Sequence, residues 1–149
     1  MIERKKWIHC FESVTCLLFV VSLSEYDQTC YEDEKTSRME ESLNIFAEIA
    51  NNQYFSHTSI LLFLNKSDLF REKLEKKPIS VYFKDYTGEP HNFEQSIEHI
   101  GNSFKKLIKE GDPNRVHIHV TCATDTGNVK LVFDGVKNTI LKEGLHTKQ

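Results

Sequence analysis

A chain of 149 residues with only 6 Gly and 3 Pro is long enough for one domain with a sizeable core, at roughly 100–200 residues per domain. The glycines, Gly88, Gly101, Gly111, Gly127, Gly135 and Gly144, include no pair with the spacing of G-x-x-x-x-G-K-S/T or G-x-G-x-x-G, which excludes a self-contained enzyme built on a phosphate loop. A formal net charge of -3 with 39% hydrophobic and 28% charged residues describes a soluble globular protein and lacks the basic field that general nucleic-acid binding needs.

The first nearly apolar run, Val14 to Leu23, is interrupted by Thr15 and Ser22 and is too short for a spanning helix of about 20 residues. No signal-peptide pattern opens the chain. Cys10, Cys16, Cys30 and Cys122 form no C-x-x-C pair, so a reduced, cytoplasmic chain is expected. Within the run, Val14 to Val21 is continuously apolar and predicts a strand covered on both faces. Met39, Leu43, Phe46, Ala47, Ala50 and Tyr54 then recur at helical spacing, with Ser37-Arg38-Met39-Glu40 as the capping box. Ser59 to Leu64 repeats the buried-strand pattern. A second helix shows Phe93, Ile97, Ile100, Phe104 and Leu107 on one face. Val116-His117-Ile118-His119-Val120 alternates, as suits an edge strand with one wetter face. A closing helix shows Val129, Val132, Phe133, Val136 and Ile140.

Strands alternating with helices predict a doubly wound α/β fold with a parallel sheet. Sequential strands laid side by side leave the first with a bare apolar edge, which folded proteins normally cover. The chain therefore reads as the later part of a larger sheet; the alternative is a compact three-stranded domain whose helices shield that edge.

The sharpest chemical signal is Asn65-Lys66-Ser67-Asp68, directly after the second buried strand. Ligands of open parallel sheets bind at the carboxyl ends of the strands. A carboxylate such as Asp68 can accept two hydrogen bonds from the N1–H and exocyclic amine of guanine, a donor pair that adenine lacks. Asn65 can bond the base's acceptor edge, and the methylene stem of Lys66 can lie along its face. The plainer reading is a strand followed by a polar turn and a helix cap. The third strand ends in Thr121-Cys122-Ala123-Thr124-Asp125-Thr126, whose small residues let backbone N–H groups approach a carbonyl oxygen, Ala123 being the donor to guanine O6. Asp125 or Thr126 could also cap the closing helix. His117 and His119 share one strand face, but the sequence places no third ligand, so no metal site is expected.

Taken with Glu3-Arg4-Lys5-Lys6-Trp7-Ile8-His9-Cys10-Phe11-Glu12 at the start, Phe63 to Phe70 around the first motif, Thr121 to Thr126, and Asn128-Val129 followed by Val132-Phe133-Asp134, the chain resembles the alpha subunit of heterotrimeric G proteins over nearly its whole length. The resemblance implies the later half of a Ras-like P-loop GTPase domain in residues 1–149: three mainly parallel strands with flanking helices, without the amino-terminal strands and phosphate loop. It places the end of the second switch helix at 1–12, guanine-recognition loops at 64–69 and 121–126, and the carboxyl-terminal helix at about 127–145. It implies guanine contacts at Asn65, Lys66, Ser67 and Asp68, with Cys122, Ala123 and Thr124 closing over the base, and a beta-gamma interface at Lys5, Lys6, Trp7, Cys10 and Phe11.

GTP or GDP is the implied ligand, and beta-gamma, a G protein-coupled receptor and effectors are the implied partners, with no nucleic acid. The complete family protein is expected at the inner face of the plasma membrane. The family's glycine-rich loop, catalytic arginine, magnesium ligands and water-positioning glutamine precede the segment matched by Glu3 and have no counterpart here. Because charge stabilisation supplies nearly all of the catalysis in phosphoryl transfer, the chain alone is expected neither to hydrolyse GTP nor to hold it tightly. The tail His146-Thr147-Lys148-Gln149 departs from the apolar tip usual in the family, which bears on receptor coupling. In a different class, the chain could serve as a non-enzymatic module or decoy that engages beta-gamma or a receptor without nucleotide.

Overall fold

In the computed structural model, which describes residues 16–29, 35–109 and 111–122, the three predicted strands form one parallel sheet. β1 spans Cys16–Ser22, β2 spans Ser59–Asn65 and β3 spans Val116–Val120, in the spatial order β1-β2-β3. Parallel neighbours cannot be joined by a tight hairpin and need a crossover. Helix α1 (Arg38–Ala50) lies on the first crossover, and α2 (Ser67–Leu74) and α3 (Phe93–Lys105) lie on the second. The register sets Ser22 opposite Asn65 and Leu64 opposite Val120, so the strands end together along one edge.

The core lies on the face bearing Phe19 and Val21, Ile60, Leu62 and Leu64, and Val116 and Ile118. α1 begins where the sequence predicts: the Ser37 side chain accepts a hydrogen bond from the Glu40 amide at 3.4 Å, and Glu40 and Glu41 complement the positive end of the helix. Its Met39, Phe46 and Ala50 are buried. The stripe stops there, and Tyr54 falls in a separate 3-10 turn, Gln53–Phe55. On α3, Ile100 and Phe104 are buried. Phe46 stands edge-on to both Phe19 and Phe104, at ring distances of 5.3 and 5.2 Å, an arrangement worth about 0.5–1.5 kcal/mol per pair beyond area burial. Gly101 lets α3 sit close on β3, since a Cβ there would come within 2.7 Å of the Ile118 Cδ1.

Leu107 likewise falls past the end of α3 at Lys105, and two further features differ from the sequence reading. Coverage on both faces holds for β2 but fails for β1, where Leu18 and Val20 are 62% and 61% exposed. β1 has a strand neighbour on one side only among the described residues, and an apolar run records what a strand can bury, not what reaches it. Helix α2 is not among the helices that periodicity predicts; only the plainer reading of Asn65 to Asp68, a polar turn and a helix cap, points to a helix start here. β3 does lie at a sheet edge among the described residues, as its alternation predicts. The closing helix expected from Val129 to Ile140 lies outside the described residues.

Candidate ligand site at the carboxyl edge of the sheet

The three strands deliver Ser22, Asn65 and Thr121 to the same edge. Between β2 and α2 the chain turns within a single residue, because Lys66 adopts the left-handed conformation with φ 58° and ψ 42°. A residue with a Cβ enters that region at a cost of about 1–3 kcal/mol and stays there only when its surroundings impose it. The neighbouring loop does so here. The Ser67 amide donates to the Thr121 carbonyl at 3.1 Å, and the Thr121 amide donates to the Leu64 carbonyl at 2.9 Å. The Thr121 hydroxyl donates to Asn65 Oδ1 at 2.9 Å.

Thr121 therefore stitches the two loops together through three hydrogen bonds, two from its backbone and one from its side chain. With its oxygen engaged, the Asn65 amide offers a ligand its NH2 donor. Asn65, Ser67 and Cys122 are half-buried, while Lys66 and Asp68 are exposed. Asp68 is the acidic residue of the first turn of α2, where the helix dipole favours negative charge by about 0.3–1 kcal/mol. The edge thus presents a donor, a carboxylate and an aliphatic stem within four consecutive residues.

Of the residues predicted from sequence, the structure brings Asn65, Lys66, Ser67, Asp68 and Cys122 to this edge. Ala123 and Thr124, and the interface set Lys5, Lys6, Trp7, Cys10 and Phe11, lie outside the described residues. Sequence reasoning did not assign Thr121 a role, although the residue stands inside a segment singled out for its chemistry. Its hydroxyl partner is 56 positions away, a distance that no local spacing reports.

The two histidines of β3 behave as wall residues. His119 packs against Phe63 at a ring distance of 5.6 Å, and its Nε2 is buried without a hydrogen-bond partner. Burial, and then His117, push its imidazole below the usual histidine range, which favours its neutral form. Among the described residues no group of three His, Cys, Asp or Glu side chains could hold a metal ion. Among the same residues no helix is long and apolar enough to cross a membrane.

A family model for the G-protein alpha subunit matches residues 2–140. The match runs through the parallel sheet and both loops at its carboxyl edge, and this chain belongs to the G-protein alpha subunit family.

Proposed function

We propose that the chain recognises the guanine base of GTP or GDP at the carboxyl edge of its sheet, as part of a transducer in receptor signalling. Asp68 accepts from guanine's N1–H and amine, Asn65 donates to its acceptor edge, Lys66 lies along its face, and Ser67 holds the turn. Cys122, Ala123 and Thr124 close over the base from the second loop. The observation that supports this most is the stitching of the two loops by Thr121, which gives the base-reading groups a common frame before any ligand arrives.

In this reading residues 1–149 act as a single Ras-like unit that chooses the base and performs no catalysis of its own, because these residues hold no phosphate cradle with the required glycine spacing. The family binds its nucleotide with Mg2+; the described residues offer it no cluster of ligands, and base recognition is the whole of the role assigned to this edge. Lys5, Lys6, Trp7, Cys10 and Phe11 form the beta-gamma surface, Trp7 being the kind of aromatic anchor that dominates interfaces. Capture of beta-gamma that survives Trp7→Ala would remove that assignment. The closing segment expected as a helix at about 127–145 is the receptor-reading element, and effectors engage the assembled protein at the inner face of the plasma membrane.

The base assignment is tested by titrating the chain with GDP, ADP and xanthosine diphosphate and following amide signals by NMR. GDP is expected to bind weakly and ADP not at all. Asp68→Asn should weaken GDP and favour the xanthine base, which carries a carbonyl in place of the amine. Equal binding of GDP and ADP would sink the reading. A second reading, an interaction module that engages beta-gamma without nucleotide, draws on the same missing glycine spacing and predicts beta-gamma capture with no GDP response at all.

A further inference from the structure

Helix α2 carries Asp68 in its first turn and is only eight residues long, so whatever holds its far end also sets the direction of its near end. Asp68 and Lys73 are five positions apart, about 7.5 Å along a helix axis. The far end is held by the segment following β1. The Lys73 ammonium donates to the Ser24 carbonyl at 2.7 Å and to Asp27 Oδ1 at 2.8 Å. Lys77, just beyond the helix, donates to Asp27 Oδ2 at 3.4 Å. The Tyr26 hydroxyl donates to the Lys77 carbonyl at 2.7 Å, and its ring, 1% exposed, stands edge-on to Phe70 of α2 at 5.5 Å.

The same segment leaves β1 at Ser22, which lies opposite Asn65 in the register of the sheet. It therefore touches the base-reading turn at one end and the far end of α2 at the other. Phe70 and Leu74 bury one stripe of α2, which holds the helix to the core, and the polar contacts at its far end add to that packing in fixing its position. The near end is anchored at Ser67, whose amide donates to the Thr121 carbonyl at 3.1 Å, so the far-end contacts set the angle at which the first turn leaves that anchor.

We propose that Tyr26, Asp27 and Lys73 are positioning residues for base recognition: they clamp the far end of α2 to the segment following β1, and through the helix they set where the Asp68 carboxylate meets the base. The inference rests on the assignment of Asp68 to guanine.

The test compares GDP with inosine diphosphate, which lacks the amine and so loses one of the two bonds to Asp68. Dissociation constants for both are measured by NMR titration of the full chain and of Tyr26→Phe, Asp27→Asn, Lys73→Met, Lys73→Arg and Asp68→Asn. A clamp that positions Asp68 predicts that Asp27→Asn and Lys73→Met reduce the preference for GDP over inosine diphosphate about tenfold, the equivalent of one misaligned hydrogen bond at 1.4 kcal/mol per decade. Lys73→Arg should restore it. A purely structural clamp would weaken both nucleotides equally and leave the ratio unchanged, which overturns the proposal. Tyr26→Phe removes one hydroxyl and keeps the ring, so a reduced ratio there supports the clamp, and an unchanged ratio overturns it, even if the charge variants fail to fold. If Asp68→Asn leaves the ratio at the wild-type value, the base assignment itself falls; if Asp68→Asn abolishes the ratio while the clamp variants keep it, only the clamp falls.

Discussion

The two ends of the sheet are built on opposite terms. At the amino end, Arg115 is buried and donates to the carbonyls of Thr58 and Ala50, joining the start of β2 to the last turn of α1. Asn51 donates to the Leu107 carbonyl at 2.7 Å and accepts from the Lys109 amide at 2.6 Å, closing the segment after α3 onto the segment after α1. Gly111, at φ +83°, brings the chain so close to Ser56 that a Cβ would meet its carbonyl oxygen. At the carboxyl end, strained backbone and exposed polar side chains face outward instead. At one end the polar groups join elements through a buried side chain; at the other they join two loops and leave Lys66 and Asp68 exposed, on the edge where open parallel sheets bind their ligands.

That contrast can be broken first at the amino end. Arg115→Ala strips two carbonyls of their partners at about 1–3 kcal/mol each, so a loss of about 3 kcal/mol is expected in urea unfolding, with no change in the preference for GDP over ADP. A changed preference would show that the two ends are not separable. At the carboxyl end, Thr121→Val keeps the shape and removes the hydroxyl. Stability should fall by about 1 kcal/mol, whereas the GDP dissociation constant should rise about tenfold as the Asn65 amide loses its orientation. Unchanged affinity would mean that the stitch is not what frames the site.

The smallest effects are pH dependences, and they differ between the sheet's wall and its clamp. Burial and then His117 hold the His119 imidazole below the usual histidine range, so as pH falls below about 6.5 the unfolded chain takes up a proton more readily than the folded chain, and stability declines. His119→Leu should flatten that decline in urea midpoints measured at pH 7.5 and 5.5. For Asp27, burial alone would push the carboxyl up, but Lys73 and Lys77 hold it below the usual carboxylate range. Its contribution is complete above about pH 4 and is lost as pH falls through its lowered folded value, so Asp27→Asn should alter the acid limb of the stability profile and leave the neutral region's slope alone. The Tyr26 hydroxyl, pushed up to about 12 by burial and then by Asp27, stays a donor across this whole range.

Much of this edge was legible in the order of the residues. Val14 to Val21, Ser59 to Leu64 and Val116 to Val120 announced their strands by run and alternation, and Ser37 announced the start of α1 because a cap and its amide are three residues apart. The Asn65 to Asp68 motif could be placed on a ligand edge, since a strand's carboxyl end is visible as soon as the strand is. Helix α2 was legible only as the cap of the plainer reading, with no periodicity to give its length. It has two buried residues, Phe70 and Leu74, and begins after a lysine in a left-handed conformation where a serine, threonine, aspartate or asparagine cap would normally advertise a helix. The exposure of Leu18 and Val20 was equally hidden, because their composition is that of a buried strand.

By itself the sequence determined the α/β class, the strand order's parallel character and the chemistry available at the end of β2, since these follow from periods of two and of three to four residues and from side-chain types. Only the tertiary structure decided that Thr121 orients Asn65 across 56 positions, and that Asp27 and Tyr26 contact Lys73 and Phe70 of a helix far downstream. The physical reason is that hydrophobic patterning acts between near neighbours and selects elements, whereas the alignment of a hydrogen-bonding site depends on distances and angles that exist only once the elements have packed.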